Sequence, residues 1–305
     1  MNKIGSSETI RKTTFNFNEY AKNTVSHKSS INKDFLEWFI GFSEGDGSFI
    51  VSKGRLFFII NQKEEKILHD IRTNLGFGKV SVYKSYSRYI VADKTGIDRL
   101  ISIFNGNLIL SKTNTRFLHW LTARNLYSTL PIEYIKRGEE FCFNNNGWLS
   151  GFIDAEGCFN ASKIKSNRYS LGFRVRLRFI LDQKDELFIF TKLKHFLESG
   201  FITDRSDMDK TPPLQNMFRF TTSSIRGLLL LQEYLHNFPL RTFKKVSFVR
   251  FYSLYYYIKN RPSLPWQGKV LKRVENLLNR IQVDDKENKK GDEMDQLQSI
   301  DPSTH

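Results

Sequence analysis

The residues of this sequence with the clearest capacity for chemistry are two pairs of acids, one in each copy of a repeated segment. Within each copy one residue separates the acids and a glycine follows them: Glu44, Asp46 and Gly47, then Asp154, Glu156 and Gly157. The flanking residues also repeat, as WFIGFSEGDGSF at 38–49 and WLSGFIDAEGCF at 148–159. Carboxylates can bind a divalent cation, and Mg²⁺ typically takes one or two of them together with substrate phosphate oxygens. The repeat therefore predicts a cation site to which both copies contribute.

Each copy predicts a helix that runs into a strand. Asn32 or Asp34 can cap the first helix, and a residue within 144–146 can cap the second. We expect Gly47 and Gly157 to end the helices in a left-handed conformation. Small residues lie four apart on one face of each helix, so two helix backbones can approach closely there: Gly41 and Gly45, then Gly151 and Ala155. Pairing along these faces would gather all four acids at one end. The helix dipole and mutual repulsion disfavour that arrangement, and a cation would relieve the conflict.

The doubled segment resembles the motif of the LAGLIDADG homing endonucleases, with nine-residue matches at Phe39 to Gly47 and Leu149 to Gly157. Two copies in one chain resemble the monomeric, pseudo-symmetric members of that family. The resemblance makes the eighth motif residues, Asp46 and Glu156, the catalytic acids, and makes the sixth, Glu44 and Asp154, structural. It extends over roughly residues 32–280, and Phe39 departs from the family's leucine at the first position.

The resemblance also implies a reaction: Mg²⁺-dependent hydrolysis of both strands of DNA, leaving short 3′ overhangs. Asp46 and Glu156 would hold the metal together with Gly45 and Ala155, and Ca²⁺ or Mn²⁺ could substitute in the site. The further catalytic residues would be Gln62 and Gln183, from aligned blocks at 61–64 and 182–185, and Lys112 and Lys244, whose segments align only with a gap. The alternative interpretation is a helix-capping glutamine and solvated lysines.

We expect an α+β fold in which two pseudo-symmetric αββαββα repeats pack through the motif helices, with two antiparallel sheets forming a DNA-binding saddle. The predicted organisation is a flexible segment at 1–30, a first repeat at 31–128, a linker at 129–146, a second repeat at 147–260, a basic helix at 261–283 and an acidic disordered tail at 284–305.

The clearest binding pattern lies in the second repeat, where Arg174, Arg176 and Arg178 alternate with apolar residues. In a strand these arginines share one face, where phosphates or guanine edges would stabilise them; a solvated face is the alternative. Antiparallel ribbons fit the major groove of DNA. The full set of predicted DNA contacts is Ser48, Ile50, Ser52, Lys79, Ser81, Tyr83, Arg88, Cys158, Asn160, Ser162, Arg174, Arg176, Arg178 and Arg219.

Composition limits the class of partner. The 305 residues carry 47 Lys and Arg against 32 Asp and Glu, for a net charge of +15, which favours a polyanion such as nucleic acid over an anionic membrane surface. No run approaches the ~18 apolar residues of a membrane span, and the two cysteines give neither a disulfide framework nor a zinc spacing. Abundant Phe, Ile, Asn, Lys and Tyr suggest an AT-rich organelle gene, so we expect a mitochondrial protein, with the chloroplast as alternative.

Three functions compete. The first is a monomeric endonuclease that cuts a long, asymmetric double-stranded DNA site and promotes intron homing. The second is an RNA maturase that assists splicing of its host intron, with intron RNA as partner. The third is a DNA-binding regulator without catalysis, which predicts no metal dependence. The presence of both Asp46 and Glu156 favours the first.

Overall fold

The computed structural model describes residues 15–26, 30–126, 128–137, 141–207, 215–260 and 266–281. A short helix α1 (Asn18–Lys22) comes first. The first repeat comprises α2 (Lys33–Asp46), β1 (Gly47–Ser52), β2 (Arg55–Gln62), α3 (Glu65–Leu75), β3 (Lys79–Val82), β4 (Ser87–Val91), α4 (Lys94–Phe104) and α5 (Ser111–Leu126). The second comprises α6 (Trp148–Glu156), β5 (Cys158–Lys165), β6 (Phe173–Lys184), α7 (Leu187–Phe196), β7 (Phe201–Asp204), β8 (Met217–Thr222), α8 (Ile225–Asn237) and α9 (Lys244–Lys259). A last helix, α10, covers 268–281.

The two repeats share one topology, which confirms the predicted α+β class. Each has a four-stranded antiparallel sheet, ordered β1-β2-β4-β3 in the first repeat and β5-β6-β8-β7 in the second. The registers also correspond, because Ser48 pairs with Ile59 in the first sheet and Cys158 pairs with Ile180 in the second. One face of each sheet packs on helices through aromatic side chains, such as Phe49 and Phe159. The other face carries the alternating positions that include Ser48 in the first sheet and Cys158 in the second.

Helices α2 and α6 pack against each other at the centre of the molecule, and glycine makes this possible. A Cβ atom added to Gly41 would lie 2.0 Å from the carbonyl oxygen of Trp148, and one added to Gly151 would lie 1.9 Å from that of Trp38. Farther along, a Cβ on Gly45 would lie 2.4 Å from the Cβ of Ala155. The predicted small-residue face is therefore confirmed as the contact between the helices.

The glycines that follow the two helices correct one expectation. Gly47 and Gly157 are extended, with φ of −83° and −73°, rather than left-handed. Their role is steric: an added Cβ would lie 2.5 Å from the carbonyl oxygen of Ser43 in one case and 2.8 Å from that of Ile153 in the other. Because the chain turns tightly back past the last helical turn, it can enter the strand directly.

The N-terminal caps of α2 and α6 agree in part with the caps predicted from the sequence. The Asn32 side chain caps α2 by accepting a hydrogen bond from the N–H of Phe35, at 3.0 Å. Helix α6 has Gly147 as its N-cap without a side-chain cap, although the Asn146 side chain accepts from the N–H of Trp148 at 3.2 Å.

Residues 15–26 were expected to be flexible, and this part of the prediction is wrong. Phe15, Phe17 and Tyr20 are buried in the core. The segment is also tied down by hydrogen bonds, because the Asn107 side chain donates to the carbonyl of Asn16 and accepts from its N–H. Because most of residues 1–30 are polar, the composition did not indicate that three aromatic side chains of this segment pack in the core. The rest of the predicted flexible segment, apart from residue 30, and the predicted acidic tail lie outside the described residues.

The predicted linker also contributes to the core, since Phe141 and Phe143 are buried and their rings lie within 6.1 Å of the Trp148 ring. Within the described residues, no helix has the length and apolar character needed to cross a membrane.

Candidate active site and nucleic-acid interface

The eighth motif residues, Asp46 and Glu156, end the two central helices. Asp46 is the last residue of α2 and Glu156 is the last of α6, and both are half-buried. Glu156 lies against the opposite helix, because a Cβ added to Gly45 would lie 3.1 Å from its Cγ and 3.6 Å from its Oε1. Pairing of the helices thus brings an acid from each repeat to the same end of the interface.

The sixth motif residues, Glu44 and Asp154, do not join this pair, which corrects the expectation of one four-acid cluster. Both are buried, and each accepts a hydrogen bond from a tryptophan of the other motif helix. The Trp148 indole N–H donates to Glu44 at 2.5 Å, and the Trp38 indole N–H donates to Asp154 at 2.8 Å. The two bonds are related by the pseudo-symmetry and tie α2 to α6.

Backbone N–H groups complete the environment of both buried acids. Glu44 accepts from Ile109 and Leu110 at 2.8 and 2.7 Å, just before α5, and Asp154 accepts from Arg241 at 2.7 Å, just before α9. Burial raises the pKa of Glu44 to about 8, and the hydrogen bonds act in the opposite direction. Burial likewise raises the pKa of Asp154. These acids hold the helix pair and the loops before α5 and α9 together.

The raised pKa of Glu44 predicts how stability depends on pH. Because folding raises this pKa from 4.5 to about 8, the group's contribution is fully present below pH 4.5 and is lost as the pH rises through about 8. Glu44→Gln does not titrate. The stability advantage of the natural chain over this variant should therefore shrink by roughly 2–4 kcal/mol between pH 5 and pH 9. Urea unfolding at several pH values measures it, and the exposed Glu65→Gln serves as control. A constant difference would contradict the prediction.

The two predicted glutamines are placed differently. The Gln62 side chain donates a hydrogen bond to Asp46, with 2.6 Å between Nε2 and Oδ2. Gln183 occupies the equivalent strand position in the second sheet, where its Oε1 accepts from the N–H of Lys184 at 3.2 Å. The structure thus brings Gln62 into direct contact with a predicted catalytic acid. The Gln183 side chain instead bonds to the backbone of the next residue.

The two predicted lysines occupy equivalent positions, although their segments required a gap. Lys112 lies two residues after Leu110, whose N–H binds Glu44, and Lys244 lies two residues after Thr242, whose N–H and hydroxyl face Asp154. The Lys244 ammonium donates to the carbonyl oxygen of Ala155 at 3.0 Å. Both lysines therefore lie in the first turn of a helix, Lys112 in α5 and Lys244 in α9.

The surroundings of Lys112 favour its neutral form. Burial, together with Arg116 and Lys184, lowers the pKa of this lysine, and the charges of Asp185 and Glu156 oppose the shift. The lowered pKa increases the fraction of this lysine that is neutral, which is the form that can accept a proton from water.

The oxygen donors at this end of the helices are suited to a hard divalent cation. Two carboxylates come from Asp46 and Glu156, while the carbonyl of Ala155, a predicted ligand, accepts a hydrogen bond from the Lys244 ammonium. Mg²⁺ is commonly held by one or two carboxylates, with the remaining positions filled by water and phosphate oxygens. No group of three or more His, Cys, Asp or Glu side chains that could hold a metal ion forms among the described residues.

The arginines of the second sheet share one face, as predicted. On this face Arg174 lies opposite Ile164, Arg176 opposite Ser162 and Arg178 opposite Asn160. Arg174 and Arg176 are exposed, and Arg178 donates to the Asn160 side chain at 2.8 Å. Cys158 and Arg219 continue the same face towards the two acids, because both belong to the same alternating set of positions.

The first sheet presents a less basic face. Ser48, Ile50 and Ser52 alternate along β1, and the same face continues through Arg88 of β4 to Lys79 and Ser81 of β3. Ile50 lies opposite Phe57, which makes the middle of this face apolar. Tyr83 follows β3 and stacks on Tyr86 at 4.8 Å, and the Arg88 guanidinium lies 5.7 Å from the Tyr83 ring.

Two polar residues on these faces were missed. Asn61 accepts from Arg88 at 2.9 Å, and Asp182 accepts two hydrogen bonds from Arg219, at 2.6 and 2.5 Å. The pairs are equivalent in the two sheets, since Asn61 lies opposite Arg88 and Asp182 opposite Arg219. Their position directly before Gln62 and Gln183 was the signal that could have identified them.

Comparisons with known proteins identify relatives of this chain. A family model described as LAGLIDADG endonuclease matches residues 39–123 and 149–255, more than half of the chain. Probable intron-encoded endonuclease 4 of Neurospora crassa is 36% identical over 252 residues, which cover 78% of this chain and 44% of that protein. The chain thus spans less than half of that relative's length. An uncharacterized cox1 intron-2 protein of Schizosaccharomyces pombe is 26% identical, over 87% of this chain and 78% of that protein. The intron-encoded RNA maturase bI4 of Saccharomyces cerevisiae is 31% identical, over 52% of this chain and 26% of that protein.

Solved structures share the fold. The meganuclease I-AabMI bound to uncleaved DNA superposes with a TM-score of 0.61 at 20% identity, covering 80% of this chain and 98% of that one. I-LtrWI bound to target DNA superposes with a TM-score of 0.63 at 18% identity, covering 82% and 98%.

Proposed function

Because the chain belongs to the LAGLIDADG endonuclease family, we propose that it is a site-specific DNA endonuclease that makes a staggered double-strand break by metal-dependent hydrolysis. The observation that carries this proposal is the pair Asp46 and Glu156, one from each repeat, at the shared end of α2 and α6. Gln62 and Lys244 lie beside them, bonded to Asp46 and to the carbonyl of Ala155.

The chemistry needs an activated water and relief of the charge that develops on the phosphoryl oxygens. Bound Mg²⁺ supplies that charge relief, and Asp46 and Glu156 are the residues that would hold it. The Gln62 amide, bonded to Asp46 through one N–H, fixes the carboxylate and has its carbonyl left to orient a water molecule. Lys112 and Lys244 supply positive charge or accept a proton at the ends of the same helices.

Substrate binding follows from the two sheet faces. In this proposal the chain acts as a monomer, and its two sheets form a saddle whose strands enter the major groove on either side of the acids. Because one face is rich in arginine and the other has an apolar middle, the two halves of the DNA target would differ in sequence.

The arginine face gives a quantitative prediction. Replacing Arg174, Arg176 or Arg178 by Gln should weaken DNA binding by about 1–3 kcal/mol per residue. A guanine contact would relax specificity at one position, whereas a phosphate contact would lower the salt slope by about 1. Binding titrations at several salt concentrations measure both effects. Arg226→Gln is the matched control, because Arg226 is an exposed arginine of α8 paired with Glu198. Equal effects of the control and the three variants would contradict the role of this face.

The function itself is tested by selecting cleaved sites from a randomised double-stranded DNA library, with Mg²⁺ and in parallel with Ca²⁺ or without metal. We expect one long, asymmetric site to be enriched, with cuts on both strands offset towards short 3′ overhangs. Enrichment that is independent of metal, or a complete absence of cleavage with any divalent cation, would overturn the proposal.

A second candidate is an RNA maturase, which the similarity to the yeast maturase bI4 favours. Splicing of a candidate host intron should then be rescued even by a chain with Asp46→Asn and Glu156→Gln. Rescue that is lost together with DNA cleavage would exclude an independent maturase role.

We also propose a mitochondrial origin with a role in intron homing. The support is that relatives from fungi carry names referring to introns, two of them to cox1 introns. These relatives give the chloroplast alternative no support.

A further inference from the structure

Two carboxylates, Glu186 and Glu64, each contact the start of a helix of the other repeat, and each of these helices carries a predicted catalytic lysine in its first turn. Glu186, before α7 in the second repeat, accepts a hydrogen bond from the N–H of Ser111 at 2.7 Å and faces the N–H of Lys112 at 3.5 Å. Glu64, before α3 in the first repeat, accepts from the N–H of Phe243 at 2.7 Å. Ser111 opens α5 and Phe243 is the N-cap of α9.

The two contacts are equivalent, although Glu64 lies two residues after Gln62 and Glu186 lies three residues after Gln183. The sequence aligned Glu64 with Asp185, but Asp185 is an extra residue with a φ of 63°, in the left-handed region. This residue lengthens the turn after β6, so that Glu186 takes the place that Glu64 has in the first repeat. Retaining the contact across an insertion indicates that the contact itself matters.

Physical chemistry explains why a carboxylate is placed there. The first N–H groups of a helix have no partner within it, and an anion at this end is stabilised by the helix dipole. Glu186 is only 3% exposed. Burial raises the pKa of this carboxyl to about 7, and the N–H groups of Ser111 and Lys112 oppose the shift by stabilising the carboxylate. The residues just before α5 and α9 are also held, because Leu110 and Arg241 donate their N–H groups to the buried Glu44 and Asp154. The backbone carrying each lysine is therefore clamped between two carboxylates.

We propose that Glu186 and Glu64 are positioning residues that act across the repeat boundary, Glu186 on Lys112 and Glu64 on Lys244. This inference rests on the proposed endonuclease function. Each lysine is then supplied by one repeat and placed by the other, so that each strand-cutting centre is complete only when both repeats are docked.

The test measures the two strands separately. Supercoiled DNA that contains the selected site is cut with Mg²⁺, and the rates of the two nicks are followed with labels on opposite strands. Glu186→Ala should slow one strand about 10–100-fold, the size typical of losing a residue that orients a catalytic group. Glu64→Ala should slow the opposite strand by a similar factor, so that nicked circles accumulate in both variants.

Matched variants separate positioning from folding. Glu65→Ala removes an exposed carboxylate next to Glu64 and should leave both strand rates unchanged. Glu186→Gln keeps an acceptor oxygen for Ser111 and should restore most of the slowed rate. If Glu186→Ala does not fold, Glu186→Gln still tests the inference, because a smaller loss confined to one strand is expected of it.

Equal slowing of both strands, or slowing of the same strand by both alanine variants, would overturn this inference while leaving the endonuclease proposal intact. A natural chain that cuts neither strand would instead overturn the endonuclease proposal itself. The two failures are therefore distinguishable within one experiment.

Discussion

Asp46→Asn combined with Glu156→Gln should lower the rate of DNA cleavage by at least about 1000-fold, while DNA affinity changes by less than about threefold. Both substitutions keep the shape of the side chain but remove the charge that would hold a divalent cation at the ends of α2 and α6. Stabilisation of the transition state by a bound metal is worth several kcal/mol, and about 4 kcal/mol corresponds to this factor. Gel assays of cleavage and binding measure both quantities.

The single variants make the prediction sharper. If each acid serves one strand, Asp46→Asn and Glu156→Gln should each leave nicked DNA, and the nicks should lie on opposite strands. Glu65→Gln, an exposed change at the start of α3, should cut normally. Cleavage of both strands that persists in the double variant would refute the assignment of these acids.

Gly41→Ala should destabilise the chain by at least about 3 kcal/mol and abolish cleavage as a consequence. The added Cβ would lie 2.0 Å from the carbonyl oxygen of Trp148, an atom of the backbone that cannot move without separating α2 from α6. Overpacking in a close-packed core typically costs about 1–3 kcal/mol, and a backbone clash at the central contact belongs at or above the upper end of this range. Urea unfolding measures the loss. Gly151→Ala should behave in the same way, because its Cβ would lie 1.9 Å from the carbonyl oxygen of Trp38.

A second glycine variant controls for the loss of glycine itself. A Cβ on Gly172 meets nothing within 4 Å, although its φ of 69° is left-handed. Gly172→Ala should therefore cost only about 1–2 kcal/mol, from backbone strain alone. If Gly41→Ala were no more harmful than Gly172→Ala, close approach of the two helices could not be what holds the repeats together.

The two predictions distinguish residues needed for cleavage from residues needed for stability, although both kinds lie within one motif. The acids should be removable without loss of stability, because they lie half-buried at the end of the helix pair. Replacing Gly41 or Gly151 should destabilise the chain, because these glycines lie within the contact between α2 and α6.

The sequence by itself determined whatever depends on local periodicity. Small residues four apart predicted the close helix contact, and alternation predicted that Arg174, Arg176 and Arg178 share a face. Repetition of whole elements predicted two sheets of equal topology. In each case neighbouring residues in the chain carry the signal, because the periods of helix and strand fix where their side chains point.

Only the tertiary structure decided which polar groups meet. Four acids that looked alike in sequence divide into two buried structural ones, bonded to indole and backbone N–H groups, and two at the open end. Glu186 accepts a hydrogen bond from the first residue of α5 in the other repeat, a contact between residues 75 positions apart. Such pairings depend on donors brought from distant segments, and no period along the chain encodes them. A carboxylate's role is set by the donors that surround it after folding.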